Sequence, residues 1–444
     1  MKQYSQMKNS EVPGIGKIPK HWLLTKLKFF TIKVGSGVTP KGGSDSYVKE
    51  GIPLIRSQNV HFDGLHLDDV AYITLDIHKK MSNSKIQEND VLLNITGASI
   101  GRTTSVPKNF GDANVNQHVC IVRTNQDLYY GFLTYFLTSS QLQTWISSIQ
   151  VGASREGLTF EDIKNFIILL PSILEQKQIV EYLDGKTSKI NDEISKNQKL
   201  IELLKEQKQI VINHAVTKGL DDSVPMKDSG IEWIGKIPKY WNINKIKYSA
   251  YVKGRIGWQG LKSGELLDEG PYLITGTDFD NGVINWDTCY HVSPERYALD
   301  PHIQIQKGDL LITKDGTIGK LARIDNLPGL ATLNSHLLVI RPENNQFDTG
   351  FIYWIFSSSQ FEYYTNLTQQ GTTFNALSQE KIENFTYSFP PLKEQKSIAN
   401  YINKKTKNID SLISKIELQI KKLKEFRESL ISSAVTGKIQ VAEA

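Results

Sequence analysis

At 444 residues the chain is long for a single core and fits two domains of ordinary size with connecting elements. With 39% hydrophobic and 22% charged residues it reads as soluble and globular, and its longest apolar run, Phe166 to Leu170, is far too short to span a bilayer. A net charge of +5 is compatible with nucleic acid without demanding it, while two cysteines, Cys120 and Cys289, make neither a disulfide framework nor a zinc ribbon.

Residues 1–14 are polar and carry no apolar core of a signal peptide, so a cytoplasmic protein is expected. The remainder of the chain repeats itself. Ile-Gly-Lys-Ile-Pro-Lys-His-Trp at 15–22 returns as Ile-Gly-Lys-Ile-Pro-Lys-Tyr-Trp at 234–241, an offset of 219 residues. Asp90 returns as Asp309 and Gly97 as Gly316; after a one-residue deletion, His118 returns as His336 and Arg123 as Arg341. The offset is 219 again for Glu175-Gln176-Lys177 and Glu394-Gln395-Lys396, and for Ala215-Val216-Thr217 and Ala434-Val435-Thr436. Solenoid repeats run about 20–50 residues, so this is a whole domain with its connector, duplicated.

Each repeat opens on a basic stretch: Lys17, Lys20, His21, Lys26, Lys28 and Lys33, then Lys236, Lys239, Lys245, Lys247, Lys253 and Arg255. Such a stretch is as readily a solvated face as a polyanion contact. Over 15–170 and 234–389, short strand-like runs (91–93, 119–122, 310–312, 337–340) are bounded by Gly97, Gly101, Gly316 and Gly319, and one or two helices are expected at 129–148 and 348–366. This is an α+β globular unit.

From Pro171 the character changes. Ser172 and Glu175 form a capping-box pattern, whereas the second copy has Pro391 in place of Ser172. Ile190, Ile194, Asn197, Ile201, Leu204, Lys208, Val211 and Ala215 then make a heptad seam, repeated by Ile409, Ile413, Ile416, Ile420, Leu423, Arg427, Leu430 and Ala434. A 3.5-residue period asks for a partner helix, and the simplest partner is the other copy. Parallel pairing would bring Lys208 and Arg427 together, so an antiparallel pair is expected. Gly185 could break the first helix near its start, and Lys218-Gly219 is a plausible C-cap. The expected division is 1–170 and 234–389 as globular domains, 171–219 and 390–437 as helical spacers, 220–233 as a linker and 438–444 as a tail.

Catalytic patterns are missing. Gly316-Thr-Ile-Gly319-Lys320 has the wrong spacing for a phosphate loop, and Phe389-Pro390-Pro391-Leu392 lacks the polar and aromatic residues of an adenine-methyltransferase tetrad. Glu175-x-Lys177 and Glu394-x-Lys396 match half of a nuclease site, but acids belong in a first helical turn in any case. His118 and His336 have no second histidine or cysteine at ligand spacing and read as structural residues. No catalytic or metal-ligating residue is assigned.

The order and duplication of these strings (226–241, the glycine element at 316–319, Pro390-Pro-Leu-Lys-Glu-Gln395, Ala434-Val-Thr-Gly437) resemble the specificity subunit of type I restriction-modification enzymes over nearly the whole chain. The first repeat departs only slightly: one extra residue in the glycine element, a missing second proline, a shifted glycine. The resemblance implies a fold of two homologous DNA-recognition domains separated by two long antiparallel helices. It also implies that each domain reads one half of a bipartite, asymmetric target in double-stranded DNA. The partners implied are methyltransferase subunits, two of them expected, which hold S-adenosylmethionine, and motor-nuclease subunits. The chain itself would bind no cofactor and catalyse nothing. The alternative is a standalone methyltransferase or endonuclease with duplicated domains; a coiled-coil adaptor that binds no nucleic acid is a third reading.

From Ile190 to Ala215 the seam advances 25 steps, about 38 Å at ~1.5 Å per residue, close to one turn of B-DNA at about 34–36 Å. The helices would thus act as a ruler between half-sites. The repeats differ most over 34–88 and 253–307, where base readout is expected. In the first repeat the candidates are Thr39, Lys41, Arg56, Ser57, Gln58 and Asn59; in the second, Lys253, Arg255, Gln259, Thr277 and Asp278. Arg102, Arg155, Lys314 and Lys320, near the glycine turns, are candidates for phosphate contacts.

Overall fold

The computed structural model describes residues 3–12, 14–150, 157–255, 261, 263–343, 346–369 and 377–441. The chain divides into two compact units, Met1–Asn197 with Glu417–Ala444, and Gln198–Ile416.

Both units share one topology. In the first, an antiparallel four-stranded sheet has the order Thr31–Ser36, Val119–Thr124, Val91–Asn94, Thr103–Ser105; a three-stranded sheet places Ile52–Ile55 between Ala71–Ile73 and, in parallel, Asn114–Val115. In the second, the orders are Ala250–Gly254, Leu337–Pro342, Leu310–Thr313, Leu321–Arg323, and Tyr290–His291, Leu267–Ile274, Ala331–Leu333, the last pair again parallel. The central strands Val91–Asn94 and Leu310–Thr313 are buried at every residue, so they read as unbroken apolar runs instead of alternating. At their ends Arg123 grips Asp90 through Nε and Nη2 at 2.6 and 2.8 Å, and Arg341 grips Asp309 at 2.7 and 2.8 Å. Two short helices follow each sheet, Tyr130–Thr138 with Ser140–Gln150 and Thr349–Phe356 with Ser359–Gln369. The stretch read as a linker contains the strand Met226–Asp228, which pairs with Lys236–Pro238 as Met7–Asn9 pairs with Lys17–Pro19. In the stretch read as a tail, Ile439 and Val441 pack on the first core.

Two long helices complete the fold: α1, Ile173–Lys218, of 46 residues, and α2, Leu392–Val435, of 44. The break expected at Gly185 does not occur. A glycine inside a helix costs about 1 kcal/mol, and the apolar face around it (Ile179, Leu183, Ile190) is buried in the first core and holds the turn. Gly219, at φ +81°, ends α1 by donating to the Ala215 carbonyl. Along the seam Ile190, Ile194, Ile201, Ile409, Ile413 and Leu430 are buried, while Leu204, Val211, Ile416, Ile420 and Leu423 are half-buried. Near the end of α1 the buried residue is Ile212 and not Val211: there the helix packs into the second core and follows the 3.6-residue period.

The helices run antiparallel. In the second unit Lys208 Nζ donates to Asp410 at 2.7 Å; in the first, Arg427 Nη1 donates to Asn191 at 2.6 Å. Each unit therefore packs on the start of one helix and the end of the other. The first core includes Ile190 and Ile194 of α1 with Leu430 and Ile431 of α2; the second includes Ile212 of α1 with Ile398 and Ile402 of α2. The Ser140 amide is capped by Ser432 Oγ of α2 at 3.0 Å, and its counterpart Ser359 by Asn213 Oδ1 of α1 at 2.9 Å.

The repeated Glu-Gln pair fastens each helix start to its domain. Ser172 Oγ accepts from the Glu175 amide at 3.3 Å, but the Glu175 carboxylate does not close the capping box. It is taken by Tyr4 Oη and Trp22 Nε1 at 2.7 and 3.1 Å and by His21 Nε2 at 3.0 Å. Tyr240 and Trp241 hold Glu394 in the same way at 2.9 and 3.2 Å. Burial, with the Glu175 hydrogen bond second, raises the Tyr4 pKa. Fully buried Gln176 accepts from the Tyr129 amide at 2.7 Å and donates to the Asp127 and Pro171 carbonyls at 3.0 Å; Gln395 does the same with Asp348, Gln346 and Pro390.

Candidate nucleic-acid interface

In the first unit the sheet register sets Cys120 opposite both Ser36 and Leu93, and Val119 opposite Asn94, so the loops leaving Ser36, Asn94 and Val119 emerge at one end. Gly37 permits this convergence: a Cβ there would lie 1.7 Å from the Val115 carbonyl oxygen. The glycine element is the hairpin turn of this sheet, with Gly97 at φ +74° and Gly101 at φ +86°. Asn94 Nδ2 ties the turn to the readout stretch, donating to the Ser57 carbonyl at 2.7 Å and to Ser99 Oγ at 3.1 Å. Thr39 Oγ1 donates to Gln117 Oε1, the Gln117 amide meets His118 Nε2 at 2.9 Å, and His118 Nδ1 meets Thr96 Oγ1 at 2.6 Å. This chain links three loops and occupies both ring nitrogens of His118, as a structural histidine requires.

Exposure sorts the candidates. Thr39, Lys41 and Gln58 are exposed, and Arg56, Ser57 and Arg102 are half-buried. Arg56 donates to the Asp69 carbonyl at 2.7 Å and lies over the Tyr47 ring; the Gln58 amide is bonded to Asp69 Oδ2. Asn59 is corrected: it is fully buried, accepting from the Arg56 amide and donating to the His66 carbonyl and Asp69, so it shapes the loop and offers no edge to a base. Arg155 lies outside the described residues.

The second unit repeats the arrangement. The turn from Thr313 to Lys320 carries Gly316 and Gly319 at φ +67° and +82°, and His336 Nδ1 is bonded to Asp315. Thr277 and Lys320 are exposed; Lys253 and Lys314 are half-buried. Two candidates are corrected. Arg255, 2% exposed, donates from Nε to the Leu333 carbonyl at 2.9 Å and from Nη2 to Thr332 at 3.2 Å; burial, then neighbouring Arg296, lowers its pKa. Asp278, also 2% exposed, closes the Thr275 turn by accepting from the Thr275 amide and Thr288 Oγ1 at 2.7 and 2.9 Å. Arg255 is turned inward by its bonds to the strand Ala331–Leu333 of the three-stranded sheet, and Asp278 by the turn its own loop makes after the strand Leu267–Ile274. Gln259 lies outside the described residues.

Gln117 and Asp315, which hold the two histidines, escaped the sequence reading. So did His61, Asp63 and His66, which share one hairpin and whose donor atoms all lie within 4.8 Å of one another. The signal was the spacing His-x-Asp-x-x-His. Burial pushes the Cys120 thiol up to about 12, and burial, then Asp278, does the same to Cys289, so neither is a ready nucleophile. Among the described residues no helix is long and apolar enough to cross a membrane.

Comparisons with known proteins agree on one family. The family model of the type I restriction modification DNA specificity domain matches residues 21–211 and again 235–422. A putative type I restriction enzyme MjaX specificity subunit of Methanocaldococcus jannaschii is 24% identical, covering 99% of this chain and 98% of its own length. The EcoKI specificity subunit of Escherichia coli K12 is 20% identical over 96% of this chain and 90% of its own. Among solved structures, a chain from work on complex assembly and conformational transition of the type I R-M system superposes with a TM-score of 0.70 at 17% identity, covering 95% of this chain and 99% of that one. The HsdS subunit of Thermoanaerobacter tengcongensis gives 0.55 at 16%, covering 96% and 99%. With two copies of the family domain spanning almost its entire length on a duplicated fold, the chain belongs to the specificity subunits of type I restriction-modification systems.

Proposed function

We propose that each unit reads one half of a bipartite, asymmetric DNA target and that the chain itself transfers no methyl group and cuts no strand. The observation that carries this reading is a shared scaffold with unlike tips. The same seven-strand arrangement delivers Thr39, Gln58 and Gln117 at the sheet end of one unit, and Thr277, Lys314 and Asp315 at the other. Glutamine suits adenine, lysine suits guanine or phosphate, so the two halves of the target would differ. Both copies of the Glu-x-Lys pattern put their carboxylates to structural use on tryptophan and tyrosine, which supports a non-catalytic role.

The chemistry then belongs to partners: two methyltransferase subunits, which would carry S-adenosylmethionine, and motor-nuclease subunits. The long helices offer them apolar contacts. Leu200, Leu203 and Ile210 of α1 are exposed by 44%, 53% and 59%, and Leu418 and Phe426 of α2 by 52% and 51%, isolated from any core and suited to burial under another helix. Helix length would set the number of unread base pairs. Methylome sequencing of a host with and without this chain tests the reading. A split methylated motif with two unlike halves should vanish with the chain; an unchanged methylome would end it.

A further inference from the structure

We propose that His61, Asp63 and His66 of the first unit bind one divalent transition-metal ion, zinc being the probe of choice. The hairpin pairs Val60–His61 with Gly64–Leu65, setting His61 opposite Gly64. His66 lies two residues beyond Gly64, so strand alternation puts its side chain on the face His61 uses. The rings stack accordingly, with centroids 4.0 Å apart and planes 16° off parallel.

The backbone beneath is fixed. Val60 is fully buried, and fully buried Asn59 holds His66 from both sides: the His66 amide donates to the Asn59 carbonyl, and Asn59 Nδ2 to the His66 carbonyl, each at 2.9 Å. His61 Nε2 lies 2.8 Å from the Gln58 carbonyl and must donate to it, which leaves Nδ1 as a free lone pair. Orientation of a metal-binding imidazole by a carbonyl on its other nitrogen is the usual arrangement around bound ions. His66 Nε2 and Asp63 Oδ1 are 3.1 Å apart. Metal entry exchanges this hydrogen bond for two bonds to the ion, the ring proton passing through solvent to Nδ1.

Two nitrogens and one oxygen suit zinc, nickel or copper over magnesium or calcium, which take oxygen ligands. Donors on one tetrahedral zinc stand about 3.3–3.5 Å apart, against a spread of up to 4.8 Å here. Stacked parallel rings cannot both aim their in-plane lone pairs at one ion, so the exposed His66 ring must turn out of the stack and Asp63 rotate with it as the ion enters; water completes the shell.

The test uses the full chain, stripped with chelator and without DNA, so that its outcome is independent of sequence reading. Calorimetric titration with Zn²⁺ should show one ion per chain, and Co²⁺ should give a visible absorption band. His61→Ala, His66→Gln and Asp63→Asn should each weaken binding at least ~10-fold with unchanged thermal melting, while His214→Ala, at a half-buried histidine elsewhere, should bind as wild type. Absence of a bound ion in the wild-type protein, or equal affinity in a folded His61→Ala/His66→Gln double variant, overturns the proposal.

Discussion

Lys208 Nζ sits 2.7 and 2.8 Å from the two carboxylate oxygens of Asp410, and 219 residues around the repeat Arg427 makes the equivalent contact with Asn191. From Asn191 to Lys208 α1 advances by 17 residues, and from Arg427 to Asp410 α2 retreats by 17, which only antiparallel helices in one register allow. The two cations that forbid a parallel seam are each satisfied by the opposite helix.

The side chains of Lys208 and Asp410 are 29% and 53% exposed, so the pair contributes little: Lys208→Ala should cost at most about 1 kcal/mol. Lys208→Asp should cost more, by facing two carboxylates, and Lys208→Asp with Asp410→Lys should recover most of the loss. Chemical denaturation of the wild type, Lys208→Asp, Asp410→Lys and the double variant completes this double-mutant cycle.

Gln176 should matter far more. Replacing it with alanine leaves the buried Pro171 carbonyl and the part-buried Tyr129 amide and Asp127 carbonyl without their partner, and a cavity in place of a fully buried side chain. Each such group costs about 1–3 kcal/mol, so Gln176→Ala should destabilise the first unit by several kcal/mol. The next residue, Lys177, is exposed and should tolerate alanine. Denaturant midpoints distinguish them.

Tyr387 is fully buried and its hydroxyl lies 3.0 Å from Ser249 Oγ. Burial raises its pKa above the ordinary 10.0, with Ser249 and Asn244 opposing in part. The folded value exceeds the unfolded one, so the contribution is complete below about pH 10 and is lost as pH rises beyond it. Melting temperature should fall above pH 10, and Tyr387→Phe should flatten that fall.

Gln58 and Lys320 should separate reading from holding. Gln58→Ala should relax preference at one position of the first half-site. Lys320→Ala should weaken binding to all duplexes alike and reduce the salt slope by about 1. Affinities of the assembled complex for a panel of duplexes at several salt concentrations check both.

The duplication, the α+β units and the antiparallel helices were legible because the repeated residues do structural work. Trp22 and Trp241 hold the helix-start glutamates, and the glycines turn the sheet hairpins. The inward turn of Asn59, Arg255 and Asp278 was not legible, since polar residues in divergent loops look alike until the fold closes over them: Asn59 and Asp278 are held by partners in their own loops and Arg255 by a neighbouring strand. Nor was the exchange by which Ser140 is capped from α2 and Ser359 from α1. That contact joins positions 292 residues apart in the first unit, and periodicity within a segment carries no trace of it. Gly185 misled because its local penalty is small beside the burial of the turns around it.

Exchange of residues 15–170 for those of another family member, read by methylome sequencing, tests independent reading by the two units most directly. The account predicts that one half of the methylated motif changes while the other half and the spacing stay as they were. A change in both halves would contradict it.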